Sequence, residues 1–169
     1  LFLKTERNTL TFALRTSDDA LPSFEIPLFD ALGQPNNHFV VVTAANTGTS
    51  VVIDDVYAEM RFDMSGTKKF SEESGFRTVS MLTVPLSPRA GEVIGVIQLL
   101  NALDPKTGAV IPFPPDLVEF VEALAAQSAV AIENQNLIEA QKQLMDALIK
   151  LIAGAIDAKS PYTGGHCER

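Results

Sequence analysis

The sequence is poor in the residues that carry most redox and metal chemistry, with one cysteine, two histidines and no tryptophan among 169 residues. Cys167 alone cannot build an internal disulfide framework, so a reducing, cytoplasmic location is the simple expectation. No apolar run is long enough to span a bilayer, and the opening residues LFLKTERN lack the features of a signal peptide. They look like a strand entered part-way, so we expect the chain to begin inside a longer protein.

Positive charge is also scarce, because 13 lysines and arginines face 21 aspartates and glutamates and the net charge is −8. Such a surface opposes non-specific binding to nucleic acid and to anionic lipid, so we expect neither as a partner. A small anionic ligand stays compatible with this charge, since it needs only a local positive pocket. The hydrophobic fraction of 46% and the charged fraction of 20% are ordinary for a folded domain with an extension.

Motifs for catalysis are missing as well. His38 and His166 lie far apart in the sequence, neither belongs to an HxxxH pair, and there is no P-loop and no G-x-S-x-G elbow. The carboxylate pairs at 54–55 and 72–73 are better explained as helix caps or solvated surface. We therefore do not expect this chain to be an enzyme by itself, although turnover by the isolated chain is kept as a third alternative.

Alternation of apolar and polar residues predicts an antiparallel sheet with hairpins. The predicted strands are residues 1–4, 9–15, 50–53, 77–85 and 92–100, with a hairpin connection at 87–91. Residues 16–37 and 101–115 are rich in proline and glycine and are predicted to be loops. The pair at 54–55 is predicted to cap a short helix over 57–61. Residues 38–48 are ambiguous, because three valines favour a strand whereas the following alanines and Asn-Thr-Gly favour a helix end.

The strongest structural signal is a long helix from Asp116 to about Lys159, a stretch without proline. Asp116 with Glu119 resembles a capping box, and Pro115 suits the helix entry. Its second half carries a heptad, and polar residues on such a seam can fix register. We interpret this as a parallel homodimer; the alternative is an amphipathic helix that packs back on the domain. The seam residues are Val130, Asn134, Leu137, Gln141, Leu144, Leu148, Leu151 and Ala155.

The segment 61–86 mixes hydroxyls, phenylalanines and cations in a way that suits a small nucleotide-like ligand. Aromatic faces stack on bases, while hydroxyls, backbone N–H groups and cations hold phosphate. The alternative is a partly ordered loop whose phenylalanines serve packing. With Asn101, which enters from the resemblance described next, the candidate ligand-binding residues are Phe62, Ser65, Thr67, Phe70, Arg77, Ser80, Thr83 and Asn101.

Three stretches resemble a GAF domain: SGFRTVSMLTVPL at 74–86, GEVIGVIQLLNALDPKTG at 91–108 and FPPDLVEFVEALAAQSAVAIEN at 113–134. The first is similar to the T-G-Y-K-T-x-S-x-L-x-x-P-[LI] stretch of the cyclic-nucleotide-binding branch found in phosphodiesterases and adenylate cyclases. The resemblance implies an α/β (α+β) fold, with an antiparallel sheet flanked by helices and a long C-terminal signalling helix. It also implies a helix over residues 38–48, against local propensity, and a first family helix missing from the front.

The nucleotide-binding members carry an N-K-F-D-E set that this chain matches only in part. Asn101 is followed by Ala102, and Phe113 is followed by only two residues before Asp116 and Leu117. The resemblance therefore implies a small-molecule ligand, with a cyclic nucleotide as one candidate. A rival interpretation, supported by these departures, is a structural dimerisation module that binds no ligand.

The end of the chain, DAKSPYTGGHCER, resembles the entry to an HD-GYP domain. That resemblance implies a regulatory domain at 1–136, a coiled-coil signalling helix at 137–159 and a truncated HD-GYP start at 160–169. The complete protein would be a metal-dependent cyclic di-GMP phosphodiesterase. His166 would ligate a divalent two-metal centre of the iron or manganese type, whose other ligands lie beyond this chain, and no cofactor is expected in the chain itself.

Overall fold

The computed structural model describes residues 1–14 and 25–159, which fall into one compact unit at residues 1–130 and a second from residue 131 onward. The secondary structure follows this order along the chain: β1 Phe2–Lys4, β2 Thr9–Phe12, β3 Glu25–Pro27, α1 Val40–Thr47, β4 Val51–Ile53, α2 Ser65–Ser74, β5 Met81–Leu86, β6 Gly95–Leu100, β7 Ala102–Leu103, β8 Val110–Ile111 and α3 Pro115–Lys159.

Six strands form one sheet in the order β3-β2-β1-β6-β5-β4, and every neighbouring pair is antiparallel. The predicted antiparallel sheet with flanking helices is confirmed. The predicted hairpin connects β5 to β6, whose six register pairs run from Met81↔Leu100 to Leu86↔Gly95. Phe2 and Phe12 are register partners in β1 and β2, and their ring centroids lie 4.3 Å apart.

Helix α1 forms despite its three consecutive valines because five of its eight residues, the valines among them, are buried. Val41, Val42 and Ala45 join a core cluster with Phe2 and Val96 from the sheet. Burial of this apolar surface outweighs the weak strand preference of β-branched residues. The helix ends at Gly48, whose φ of 66° is left-handed and whose N–H donates to the Ala44 carbonyl at 3.0 Å. The helix that the family resemblance predicts here is confirmed.

The face of β5 that points away from α1 carries Leu82, Val84 and Leu86, all of them buried. The beginning of α3 covers this side, since Val84 lines the same cleft as Glu122 and Ala126. Along α3, Val121, Ala125 and Ala129 recur every fourth residue and are buried, which places one helical stripe against the domain. The sheet of the first unit is therefore covered by helices on both faces.

The long helix is confirmed, but its predicted capping box is wrong. Pro115 is the first helical residue, and the Val118 N–H already donates to the Pro114 carbonyl at 3.0 Å. Asp116 therefore lies inside the first turn, where its negative charge suits the positive end of the helix dipole. Proline fits the first position because its missing N–H would have had no helical partner.

Several local predictions are wrong, and each has a physical reason. Residues 57–61 are not helical: a turn covers residues 56–58, where the Asp55 carboxylate accepts the Tyr57 N–H at 2.8 Å. Strand β5 begins at Met81, not at residue 77, and strand β6 begins at Gly95, not at residue 92. Both predicted loops contain short strands, namely β3 at the sheet edge and the separate β7–β8 pair.

Segment 61–86 is not a partly ordered loop, because residues 65–74 form the helix α2 and residues 81–86 form the strand β5. Strand β2 ends at Phe12, and residues 15–24 lie outside the described residues. Within the described residues, no helix combines the length and apolar character needed to cross a membrane.

In the second unit, residues 131–155 expose a regular series of large apolar side chains. Leu137, Leu144 and Leu151 are 60%, 63% and 69% exposed, and they recur every seven residues. Ile138, Met145 and Ile152 follow each of them by one position and are 59%, 54% and 58% exposed. Isolated helices of this composition normally bury such a stripe against another surface. The side chains of residues 156–159 are not described.

Gly95 permits the close approach of β1 to β6 at the centre of the sheet. A Cβ atom at this position would lie 2.4 Å from the Phe2 carbonyl oxygen and 3.2 Å from Leu86 Cδ1. Because the first of these contacts is with backbone, a side-chain rotation cannot relieve it. Only glycine therefore fits at this point of the sheet.

We expect Gly95→Ala to destabilise the domain by about 1–3 kcal/mol or more, as overpacking in a core does. The matched control is Gly66→Ala, whose Cβ would meet nothing within 4 Å on α2. That change should be neutral or stabilising by about 0.5–1 kcal/mol, since alanine favours helix. Urea unfolding followed by circular dichroism measures both. Equal stability of Gly95→Ala and wild type would contradict the spacing of β1 and β6.

Candidate ligand-binding site

Six of the eight residues predicted to bind a ligand lie on α2 or on the segments that flank it, while Thr83 lies within β5 and Asn101 follows β6. An apolar cluster of Val40, Ile53, Val56, Met64 and Met81 lies beneath this region. Phe62, one of the predicted residues, packs against that cluster and is half-buried, as is Leu100. The region therefore has an apolar base formed by α1, β4, β5 and the turn that precedes α2.

Asn101 joins the end of β6 to the segment that enters β5. Its side-chain Nδ2 donates to the Arg77 carbonyl at 2.8 Å, and its Oδ1 accepts the Val79 N–H at 2.7 Å. Its backbone N–H donates to the Ser80 carbonyl at 2.8 Å. Asn101 itself adopts a left-handed φ of 59°, which asparagine tolerates better than most residues. The side-chain amide thus replaces backbone pairing where the strands have diverged.

Two hydroxyl-bearing residues connect α2 to the same segment. The Ser71 hydroxyl donates to the Thr67 carbonyl at 2.9 Å and accepts the Thr78 N–H at 3.1 Å. Thr78 is fully buried, and its own hydroxyl has no hydrogen-bond partner among the described residues. A buried hydroxyl without a partner costs about 1–3 kcal/mol of stability, and a hydrogen bond to water or to a ligand would offset that cost.

The other predicted residues make the following contacts. Ser80 and Thr83 are fully buried; the Ser80 hydroxyl accepts the Ala102 N–H at 3.2 Å, and the Thr83 hydroxyl accepts from Gln98 Nε2 at 3.3 Å. Ser65 is the exposed first residue of α2, Thr67 and Phe70 are half-buried within it, and Arg77 is exposed. Ser65, Thr67 and Phe70 thus lie on α2, whereas Thr83 lies within β5; the binding of a ligand by the predicted residues stays a prediction.

Cations and aromatic rings meet at the outer side of this region. The Arg77 Cζ atom lies 4.8 Å from the centroid of the Tyr57 ring, and the Lys68 Nζ atom lies 5.8 Å from the same centroid. Tyr57 is 42% exposed, so the ring is accessible to solvent and to solutes. Each of these distances is in the range of a cation–π contact.

A second arginine, Arg61, is held by an acidic neighbour. Its Nη2 atom lies 2.7 Å from Glu59 Oε2, its Nε donates to the same carboxylate, and its guanidinium lies 5.4 Å from the Phe62 ring. The hydrogen bonds from Arg61 lower the pKa of Glu59 to about 2. Because the pKa of Glu59 is lowered in the folded state, its pairing with Arg61 stabilises the fold at pH values above the ordinary carboxyl pKa. That stabilisation is lost as the pH falls towards 2.

A cleft of about 350 Å³ lies elsewhere in the first unit, between the loop after α1, the end of β5 and the beginning of α3. None of the predicted ligand-binding residues lines it. Its lining is Gly48, Thr49, Ser50, Val84, Pro85, Ser87, Glu122 and Ala126. The cleft contains one carboxylate and no cation, so an anionic ligand would be disfavoured there.

Within residues 1–14 and 25–159, no group of three or more histidine, cysteine, aspartate or glutamate side chains could hold a metal ion. His166 and Cys167 lie outside the described residues, as does the whole segment that resembles an HD-GYP entry. The sequence interpretation did not single out Tyr57, Lys68, Ser71 or Thr78 as ligand-binding residues. Lys68, Ser71 and Thr78 lie inside the segment 61–86 that suits a nucleotide-like ligand, whereas nothing local marks Tyr57.

The sequence profile of the GAF domain family matches residues 4–132. The dual 3′,5′-cyclic-AMP and -GMP phosphodiesterase 11 of Drosophila melanogaster is 31% identical over 105 residues, which is 62% of this chain but only 7% of that protein's length. The GAF domain of the Acinetobacter phosphoenolpyruvate-protein phosphotransferase aligns over 82% of this chain and 72% of its own, with a TM-score of 0.55 and 16% identity.

The free methionine-R-sulfoxide reductase of Neisseria meningitidis, solved with its substrate, aligns over 80% of this chain and 66% of its own. Its TM-score is 0.51 and its identity 18%. At such low identity, both solved structures establish a common fold and nothing further.

We expect Asn101→Gly to cost about 1–3 kcal/mol, because the Arg77 and Val79 backbone groups lose their partner while glycine keeps the left-handed backbone. Asn101→Ala should cost more, since alanine also resists a positive φ. The loss of stability of Asn101→Gly in chemical unfolding measures the contribution of the hydrogen bonds. The additional loss in Asn101→Ala measures the cost of a positive φ for a residue with a Cβ atom. If Asn101→Gly unfolds at the wild-type urea concentration, then the amide does not hold this segment.

Proposed function

The chain belongs to the GAF domain family, a family of small-molecule-sensing regulatory modules, and we propose that it is a sensory domain whose ligand binds around α2. The observation that carries this proposal concerns residues 74–86, the stretch that resembles the cyclic-nucleotide-binding branch. This stretch also contains the buried, unpartnered hydroxyl of Thr78 and the exposed guanidinium of Arg77. Unsatisfied polar groups beside an apolar cluster are the usual composition of a small-molecule site.

A cyclic nucleotide is the first ligand to test, since a relative at 31% identity is named for acting on cyclic AMP and cyclic GMP. The departures from the nucleotide-binding set argue for testing other nucleotides beside it. Ala102 is buried, so the lysine that the set carries at this place would have no room to reach solvent. Phe113 is also buried, whereas Asp116 is exposed on the first turn of α3.

A thermal-shift titration with cyclic AMP, cyclic GMP and other nucleotides tests the sensor. A ligand present at a hundred times its dissociation constant should stabilise the domain by roughly 2.7 kcal/mol. Thr78→Val keeps the shape of the side chain but removes its hydroxyl. We expect this variant to be no less stable than wild type when free, and to show a smaller ligand-induced shift.

The absence of a shift with every nucleotide would favour the rival function, a structural dimerisation module without a ligand. An undiminished shift in Thr78→Val would place the ligand away from this hydroxyl. Catalysis by the isolated chain would instead appear as turnover of the added nucleotide.

The exposed heptad of α3 supports a parallel homodimer that passes the ligand-dependent state to whatever follows. Burying the exposed leucines in a second copy would contribute about 1.5–3 kcal/mol for each fully buried side chain. Asn134 and Gln141 on the seam would favour one register, because polar groups there are best paired with each other. The single-helix alternative, in which α3 packs back on its own domain, predicts a monomer.

Sedimentation equilibrium of wild type, Leu144→Lys and Gln143→Lys distinguishes these two arrangements. Leu144 lies on the seam and Gln143 beside it, and both are exposed in the single chain. We expect Leu144→Lys to shift the equilibrium to monomer and Gln143→Lys to leave the dimer in place. A wild-type chain that stays monomeric at tens of micromolar would exclude the dimer at affinities of about 1 µM and better.

The longer protein, on this proposal, continues into an HD-GYP phosphodiesterase of cyclic di-GMP, located in the cytoplasm. Support comes from Tyr162, Thr163, Gly165 and His166, which match the entry of that domain. His166 would help to ligate a divalent two-metal centre of the iron or manganese type, together with residues beyond this chain. A longer chain that extends past residue 169 should contain about two metal ions, and His166→Ala should reduce that metal content. Failure to hydrolyse cyclic di-GMP would refute the proposed activity.

A further inference from the structure

The side chains of Lys68 and Arg77 converge on the same aromatic ring from different parts of the fold. Tyr57 lies in the turn after β4, Lys68 on α2 and Arg77 between α2 and β5. Because both cation distances are measured to one ring centroid, both positive charges lie within 5.8 Å of the centre of the Tyr57 ring. The chain has an excess of acidic residues, so convergence of two cations is a departure from its general character.

No carboxylate of the described residues forms an ion pair with either cation. The other described arginines, Arg7, Arg61 and Arg89, each pair with a glutamate, whereas the guanidinium of Arg77 lies over the Tyr57 ring and the residue is exposed. Asp63 is close enough to feel the charge of Lys68, although the two form no salt bridge. Two neighbouring like charges repel each other, and a bound anion would relieve that repulsion.

The backbone of Arg77 is fixed, although its side chain is exposed. Its carbonyl accepts from Asn101 Nδ2, and the N–H of the next residue donates to the Ser71 hydroxyl on α2, the helix that carries Lys68. The Tyr57 ring supports the guanidinium from one side. An arginine held in this way loses less conformational entropy on binding than a free surface arginine.

We propose that Tyr57, Lys68 and Arg77 form an anion subsite that takes the phosphate group of a small molecule. The guanidinium fork matches two phosphate oxygens, the ammonium adds a point charge, and the phenol hydroxyl can donate a hydrogen bond. The subsite rests on the proposed sensory function and assigns its ligand to the phosphate-bearing class. Long polyanions are excluded, because the net charge of −8 repels them.

Tyrosine fluorescence reports directly on this subsite. The chain has two tyrosines and no tryptophan, so Tyr162→Phe leaves Tyr57 as the only tyrosine. This variant is titrated with inorganic phosphate, pyrophosphate, cyclic AMP and cyclic GMP. We expect a saturable change of Tyr57 emission with at least one of them, and weaker binding as the salt concentration rises.

Neutral variants in the same background localise the effect. Arg77→Gln and Lys68→Gln should each weaken binding by about tenfold or more, since each removes a charge-assisted contact. Arg77→Lys should recover part of the affinity, because it keeps the charge but not the fork. The matched control is Lys69→Gln, one position along α2, where the lysine lies 3.8 Å from Glu73. It should bind as the parent does, and urea unfolding verifies that every variant is folded.

The outcomes separate the subsite from the sensor. Binding of a nucleotide that survives both Arg77→Gln and Lys68→Gln would overturn the subsite and leave the sensory function standing. Binding of phosphate or pyrophosphate that depends on both cations, without binding of any nucleotide, would support the subsite and count against a nucleotide sensor. An equal loss in Lys69→Gln, or no response of Tyr57 to any of the four compounds, would overturn the subsite.

Discussion

The fold and the candidate site both depend on the hydrogen bonds of Asn101. The regular register of β5 and β6 ends at Met81 and Leu100. After one further backbone hydrogen bond, from the Asn101 N–H to the Ser80 carbonyl, the two segments must diverge to reach α2 on one side and β7 on the other. One amide side chain satisfies both the Arg77 carbonyl and the Val79 N–H across this gap. Its left-handed backbone also turns β6 into the β7–β8 hairpin. A single residue therefore fixes the position of the segment that carries Arg77 and Thr78.

This arrangement gives a physical route from ligand to helix. Ser71 attaches α2 to Thr78, Asn101 attaches the same segment to the end of β6, and β7 begins at the residue after Asn101. The chain then passes through β8 and the buried Phe113 to the beginning of α3. A ligand that bonds with α2 and with residues 77–78 would thus act on elements connected to α3 by a short series of hydrogen bonds and buried contacts. Such a ligand needs unequal affinity for two states of these elements to act as a signal.

Repeating patterns of apolar residues made the sheet and α3 predictable from the sequence. The turn after β4 and the candidate site depend on side-chain hydrogen bonds and contacts, which such patterns do not reveal. Alternation located β5 and β6, and the family resemblance placed α1 where three valines favoured a strand. The prediction of a short helix after β4 was wrong because the Asp55 carboxylate accepts a hydrogen bond from the backbone N–H two residues further on. Helix propensities do not include this competing side-chain hydrogen bond. Helix α2 was missed because its only buried side chain is Ser71 and it lacks an apolar stripe. Tyr57 could not be anticipated, since its partners are distant in sequence and meet only in the folded chain.

The seven-residue repeat of α3 restricts how the length of this helix can vary. At 3.6 residues per turn, seven added residues return the exit of the helix to within about 20° of its original azimuth, whereas four added residues leave it about 40° away. A change in the length of α3 by whole heptads would therefore preserve the rotational phase of the end of the helix.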